Sequence, residues 1–238
     1  MLDQLNLSKV LFLDIETVPQ TYNYNDLDDS TKYLWEKKNA YHLKDGGSPE
    51  DIYERAGILA EFGKIVCISV GFATTEGGFQ LIRTKSYFGE DEKILLQEFC
   101  ELLNNHYTYP DQLLCAHNGK EFDFPYICRR LLINGMKIPR ILNMAGKKPW
   151  EIKHIDTMEL WKFGDYKNYT SLELLTHVFD IPTPKDDIDG SQVAAVFYEA
   201  KDVERIAKYC EKDVVATIQL LLRYLGDPLV IEENITHA

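Results

Sequence analysis

Apolar and polar positions alternate along this 238-residue chain in a way that separates short strand-like runs from helical stretches. Val10-Leu11-Phe12-Leu13 places four bulky apolar residues in succession, the pattern of a strand buried on both faces and hence central in a sheet. Ile65 to Ala73 and Phe79 to Thr84 read as two further strands, joined as a hairpin across Thr75-Glu76-Gly77-Gly78. Short strands follow at Leu113 to Ala116 and at His154 to Leu160. Helical spacing marks Asp91 to Leu103, Pro125 to Ile133 with Pro opening it and Asn134-Gly135 closing it, and Ser171 to Phe179. The longest helix runs from Asp202 to Leu225, with Val203, Ile206, Ala207, Cys210, Val214, Ile218 and Leu221 on its apolar stripe.

Residues from about 19 to 60 interrupt this order. A helix from about Ser30 to Tyr41, capped by Ser30, and a second from Pro49 to Leu59 predict a helical insertion between the first two strands. The sequence of elements is three strands, helix, strand, helix, strand, helices. It predicts an α/β sandwich built on a mixed sheet, in a single domain spanning residues 1–238.

Composition narrows the class. With 45% hydrophobic and 27% charged residues the chain has the make-up of an ordinary globular protein. No apolar run approaches the ~20 residues of a membrane span, and the first residues carry no basic-then-apolar leader pattern, so a cytoplasmic protein without membrane contact is expected. Five cysteines lie far apart with no Cys-x-x-Cys spacing, which argues for reduced core residues rather than disulfides or zinc. The net charge of −12 excludes a broad basic surface for nucleic acid. A polyanionic substrate would have to be held locally, by metal ions and a few Lys or Arg.

The chemistry begins where the central strand ends. Asp14 and Glu16 are two positions apart, so both point to the face that also carries Phe12. Two like charges at the end of a buried strand are unfavourable unless a cation sits between them, and oxygen ligands suit magnesium or manganese. Further carboxylates lie at Asp123, in Asn118-Gly119-Lys120-Glu121-Phe122-Asp123, and at Asp213, four residues after Tyr209 on the long helix. Taken singly each has a plainer reading: a strand running into a polar turn, an N-capping Asp, a boundary Asp on an amphipathic helix.

Taken together, Asp14-x-Glu16, Asn118-x-x-x-Phe122-Asp123 and Tyr209-x-x-x-Asp213 resemble the three motifs of the DEDD 3′–5′ exonucleases. The tyrosine points to the DEDDy branch; Lys208 stands where the histidine branch carries its His. The likeness is to stand-alone relatives of the proofreading domain of family-B DNA polymerases. It runs from about Lys9 to Leu225, supported by Phe62-Gly63-Lys64-Ile65, Asp187-Ile188-Asp189-Gly190-Ser191 and Cys210-Glu211-Lys212.

The resemblance implies a ribonuclease-H-like fold and hydrolysis of phosphodiesters from a 3′ end, releasing 5′-mononucleotides. It implies two divalent ions, Mg2+ or Mn2+, held by Asp14, Glu16, Asp123 and Asp213, with Asp14 bridging and Asp123 on the second ion. Tyr209 would orient the attacking water. Thr17 would meet the terminal 3′-hydroxyl through its backbone, Phe122 would pack on the end nucleotide and Asn118 would fix the loop or touch phosphate. Single-stranded or frayed nucleic acid, most readily DNA, is the implied substrate, and any proofreading role would need a polymerase or repair partner.

Three alternatives stay open at this level. One is a catalytically silent nucleic-acid-binding or regulatory module of the same fold, against which all four carboxylates and the tyrosine are retained. Another is an RNA 3′–5′ exonuclease. The third is a metal-free carboxylate-pair hydrolase such as a glycosidase. Lesser candidates are Asp156 as a supporting or structural group, Trp161 to Tyr169 as a stacking platform or packed loop, and Lys185 as a phosphate contact.

Overall fold

The computed structural model describes residues 5–238 except 45, 77–78, 166, 168 and 183–187. Its first strand, β1 (Val10–Pro19), is buried over Val10, Leu11, Phe12 and Leu13, as a run of bulky apolar residues demands. Helix α1 (Asp29–Lys38) follows, and a 3₁₀ turn (Tyr53–Ile58) replaces the expected second helix. The cap of α1 is Asp28 rather than Ser30: its carboxylate accepts the N–H groups of Ser30 and Thr31 at 3.0 Å each. Trp35, Tyr53 and Ala56 give this insertion a small core of its own.

Strands β2 (Gly63–Glu76) and β3 (Phe79–Phe88) pair antiparallel, and β2 pairs antiparallel with β1. The hairpin turn predicted at Gly77-Gly78 lies outside the described residues. Helix α2 (Glu92–His106) is capped by Asp91, and β4 (Leu113–Ala116) runs parallel to β1. Helix α3 spans Asp123–Ile133, so it starts two residues before the expected Pro125, and Phe122 rather than Asp123 holds the cap position. Asn134 and Gly135 (φ 70°) close it as predicted.

The strand expected from His154 to Leu160 is only β5 (Ile155–Asp156), parallel to β4; the chain then turns into α4 (Thr157–Lys162). The Asp156 carboxylate accepts the N–H groups of Met158 and Glu159, and that cap converts the strand into a helix. Helix α5 (Leu172–Val178), the short α6 (Val193–Ala195) and a π turn (Val196–Ala200) lead into α7 (Val203–Leu225), capped by Asp202. A last strand, β6 (Ile235–His237), adds parallel to β3 and has no clear apolar pattern in the sequence.

The sheet order is β5-β4-β1-β2-β3-β6, with β1 near its centre. One face packs Leu11, Leu13 and Ile15 against Leu95, Leu96 and Phe99 of α2 and Phe124, Ile127 and Leu131 of α3. The opposite face packs Val10 and Phe12 against Val214, Ile218 and Leu221 of α7. This mixed sheet flanked by helices is the ribonuclease-H-like architecture. Gly71, paired with Phe12, lets α7 settle on the sheet: a Cβ there would lie 2.7 Å from Val214 Cγ1 and 3.0 Å from Ile218 Cδ1.

Candidate active site

Strand alternation puts Asp14 and Glu16 on the Phe12 face, and that face is the one α7 covers. A register shift between Glu16 and Thr17 marks a bulge in the β1–β2 ladder, directly beside the acidic pair. The close seat of α7 brings Tyr209, Cys210 and Asp213 over Asp14 and Glu16. Cys210 Sγ donates to the carbonyl of Asp14 at 3.4 Å and to its Oδ2 at 3.3 Å. One ligand atom each from Asp14, Glu16 and Cys210 lies within 4.8 Å of the other two.

Asp123 arrives from the other side of β1. As the first residue of α3 it is 3% exposed, and Ile15 reaches it with a backbone hydrogen bond. Its Oδ1 is buried without a hydrogen-bond partner. Contact with its own backbone N–H and with Ile15 lowers the carboxyl pKa, yet burial outweighs both and, with the Asp156 charge, pushes it up to about 7. Burial likewise raises Asp14 well above the carboxylate range, reinforced in turn by Asp123, Glu16 and Asp213. Glu16 is raised by burial first and then by Asp213. The four carboxylates therefore share one electrostatic site although strand, helix start and long helix contribute them separately.

Tyr209 hydrogen-bonds Asp213, and burial together with Asp213, Glu16 and Asp14 pushes its phenol far above its ordinary pKa. In its bond to Asp213 the phenol is the donor. Thr17 is half-buried at the end of β1, and its hydroxyl bonds the Tyr126 phenol. Phe122 packs on the α3 side of the core, with its ring 5.3 Å from that of Tyr126. Asn118 adopts φ 64°, and its Oδ1 is buried and unpartnered like that of Asp123.

Of the lesser candidates, Trp161 packs against Phe179 and Tyr224, which makes it core rather than platform. Tyr166 and Asn168 of that stretch, Lys185 and Asp187 lie outside the described residues. A cavity of about 1020 Å³ opens on the outer flank of α7, but among the carboxylate-site residues only Tyr209 lines it. One residue of the site escapes the sequence pattern. Cys210 looks like one more apolar position on the α7 stripe, though its place three residues before Asp213 already puts the two on one face. Asp156, the candidate supporting or structural group, is hydrogen-bonded in its cap and lies near enough to Asp123 for its charge to act there.

The residues fit a divalent metal. Hard oxygen donors converge, they raise one another's proton affinity, and one buried carboxylate oxygen has no hydrogen bond.

Comparison with known proteins agrees with this fold. Residues 58–232, well over half of the chain, match a family model described as a predicted 3′–5′ exonuclease related to the exonuclease domain of PolB. A DNA polymerase of Pyrococcus glycovorans is 23% identical over 197 residues, covering 71% of this chain and 25% of that protein. DNA polymerase 1 of Pyrococcus abyssi is 25% identical with the same coverage, and a DNA polymerase of Desulfurococcus sp. (strain Tok) is 26% identical over 67% of this chain and 22% of its own. The chain thus spans about a quarter of the length of the curated relatives it matches. It belongs to the family of predicted 3′–5′ exonucleases related to the PolB exonuclease domain.

Proposed function

We propose that the chain is a metal-dependent 3′–5′ exonuclease that removes 5′-mononucleotides from single-stranded or frayed nucleic acid, DNA in the first place. The observation that carries this reading is the cluster itself: Asp14, Glu16, Asp123 and Asp213, from three separate elements, act on one another while a buried Asp123 oxygen lacks a partner. The DNA polymerases among its relatives favour DNA over RNA. With DNA polymerases among its relatives, a polymerase or repair partner is the setting in which this domain, with its helical insertion, would proofread.

Asp14, Glu16, Asp123 and Asp213 would hold a pair of Mg2+ or Mn2+ ions. Such a pair, when bound, polarises the scissile phosphate and lowers the pKa of an attacking water. The protein's own groups do the rest. Tyr209, kept protonated and tied to Asp213, orients the water without removing its proton. The backbone at Thr17 receives the terminal 3′-hydroxyl, Phe122 lies against the last nucleotide, and Asn118 shapes the loop beside the phosphate. The net charge of −12 keeps the polyanion from binding broadly, so contact concentrates at the metal-bearing site.

The test is incubation of end-labelled DNA and RNA oligonucleotides with Mg2+, Mn2+ or chelator. Stepwise shortening from free 3′ ends, abolished by chelator and by a 3′ block, is the expected result. Degradation of a circular single strand, or activity that survives chelation, would refute it.

A further inference from the structure

We propose that Asp156 is a positioning residue for Asp123: by gripping the turn between β4 and α3 from the end of β5, it sets where the second metal ligand stands. The inference rests on the carboxylate-site reading above and adds a residue outside the three motifs. Asp156 is 3% exposed and meets four backbone N–H groups. Two belong to its own helix, Met158 at 3.0 Å and Glu159 at 3.2 Å, and make an ordinary N-cap. The other two lie more than thirty residues away in the chain: Asn118 N–H donates to Oδ1 at 2.9 Å and Lys120 N–H to Oδ2 at 3.0 Å.

That turn needs holding. Asn118 is in the left-handed region at φ 64°, which asparagine tolerates better than most residues but less readily than glycine. Gly119 is pressed so close that a Cβ would lie 2.4 Å from the Cβ of Ala116. The turn backbone is then handed to α3 through Phe122 N–H to Asn118 O at 3.0 Å and Phe124 N–H to Gly119 O at 2.9 Å. Asp123 sits between these two bonded residues.

Side chains of the β5–α4 corner reinforce the grip. Lys120 Nζ pairs with Glu159 at 2.6 Å, and His117 Nδ1 meets Thr157 Oγ1 at 2.9 Å. A second charge effect runs the same way. The Asp156 carboxylate is near enough to raise the negative potential at Asp123, which favours a cation there.

Two variants separate cap from grip. Asp156→Ser keeps a good helix cap, but its one short oxygen does not serve both the helix and the distant turn. Asp156→Asn keeps shape while turning an NH2 against the Lys120 N–H and removing the charge. Calorimetric titration with Mn2+, on the full chain without substrate, should show affinity lowered about tenfold or more in both. The Mg2+ concentration for half-maximal turnover should rise in parallel, with the oligonucleotide KM unchanged and turnover recovering at high Mn2+.

Asp123→Asn serves as the reference. If Asp123→Asn binds Mn2+ like wild type, the carboxylate-site reading itself fails. If Asp123→Asn loses affinity while both Asp156 variants keep it, the positioning role is overturned. Failure of both variants to fold would overturn it as well, since Asp156 would then be a support of the whole fold.

Discussion

Two regions of this molecule bury carboxylates, and they do so in opposite ways. At the start of α2, Glu92 is 7% exposed and fully engaged. Arg130 of α3 meets it with both Nε and Nη2, at 2.8 and 2.6 Å; Ile65 N–H and Asn134 Nδ2 take its remaining capacity at 2.7 and 2.9 Å. Arg130 in turn donates to the carbonyl of Ala60. This is a complete ion pair that staples the start of α2 and the end of α3 to β2. Across β1, Glu16 and Asp123 are buried and Asp14 is half-buried beside them, and the charges that weigh on Asp14 are Asp123, Glu16 and Asp213, all negative. Among the described residues an arginine serves the Glu92 carboxylate, whereas Asp14 is flanked by further carboxylates, the arrangement that the proposed metal site requires. Satisfied burial is structure; burial with one sign of charge is a site.

Substitution sharpens the contrast, most strongly in activity. Asp14→Asn should reduce nuclease turnover at least a thousandfold, about 4 kcal/mol of transition-state stabilisation. In chelator the same variant should melt at or above the wild-type temperature, because an isosteric amide relieves like-charge repulsion. With Mn2+ the order should reverse, since wild type gains a binding contribution that the variant largely loses. Paired melting curves check both halves; a variant that melts far below wild type in chelator would make Asp14 a structural partner.

The opposite behaviour is expected at the ion pair. Arg130→Met strands Glu92 in the core and should destabilise the protein by about 3–5 kcal/mol, with or without metal. For a chain of this size the melting temperature should fall by roughly 10 °C. Adding Glu92→Gln should recover part of the loss, and the Mn2+-induced rise in melting temperature should stay as in wild type.

The smallest effect is in pH. Folded Asp123 holds its proton up to about pH 7, whereas the unfolded chain releases it near its ordinary value of 3.8. Between those values the folded state binds more protons, so this group's contribution to metal-free stability falls as pH rises from about 4 to about 7 and then levels. His154 works the other way. Burial pushes it down to about 4 from 6.5, so its contribution grows as pH rises through that window. Asp123→Asn keeps the histidine, so the wild-type melting temperature should decline relative to this variant across pH 4 to 7. Saturating Mn2+ should remove the decline, because the ion displaces the protons. A flat difference in chelator would mean that Asp123 is not part of a mutually repelling cluster.

Much of this was open to the sequence alone, and for a local reason. Period-two alternation forces Asp14 and Glu16 onto one face wherever β1 lies, and a spacing of four forces Tyr209 and Asp213 onto one face of any helix. The buried run at Val10 to Leu13 and the amphipathic stripe of α7 follow from the same short-range rules, which is why sheet, long helix and mixed α/β class were legible. The failures share a different character. The cap of α1 moved to Asp28 and the start of α3 to Asp123; β5 stopped at Asp156; β6 had no pattern to betray it. Each depends on which partner a backbone group finds, and for β5 and β6 the partner is another strand. Only the tertiary structure decided that Gly71 admits α7 to the sheet, that Cys210 bonds Asp14, and that Asp156 reaches the turn at 118–120. Spacing along a chain fixes which way a side chain faces. What it faces is set by contacts between residues tens to nearly two hundred positions apart, as from Asp14 to Cys210, and those exist only once the chain has packed.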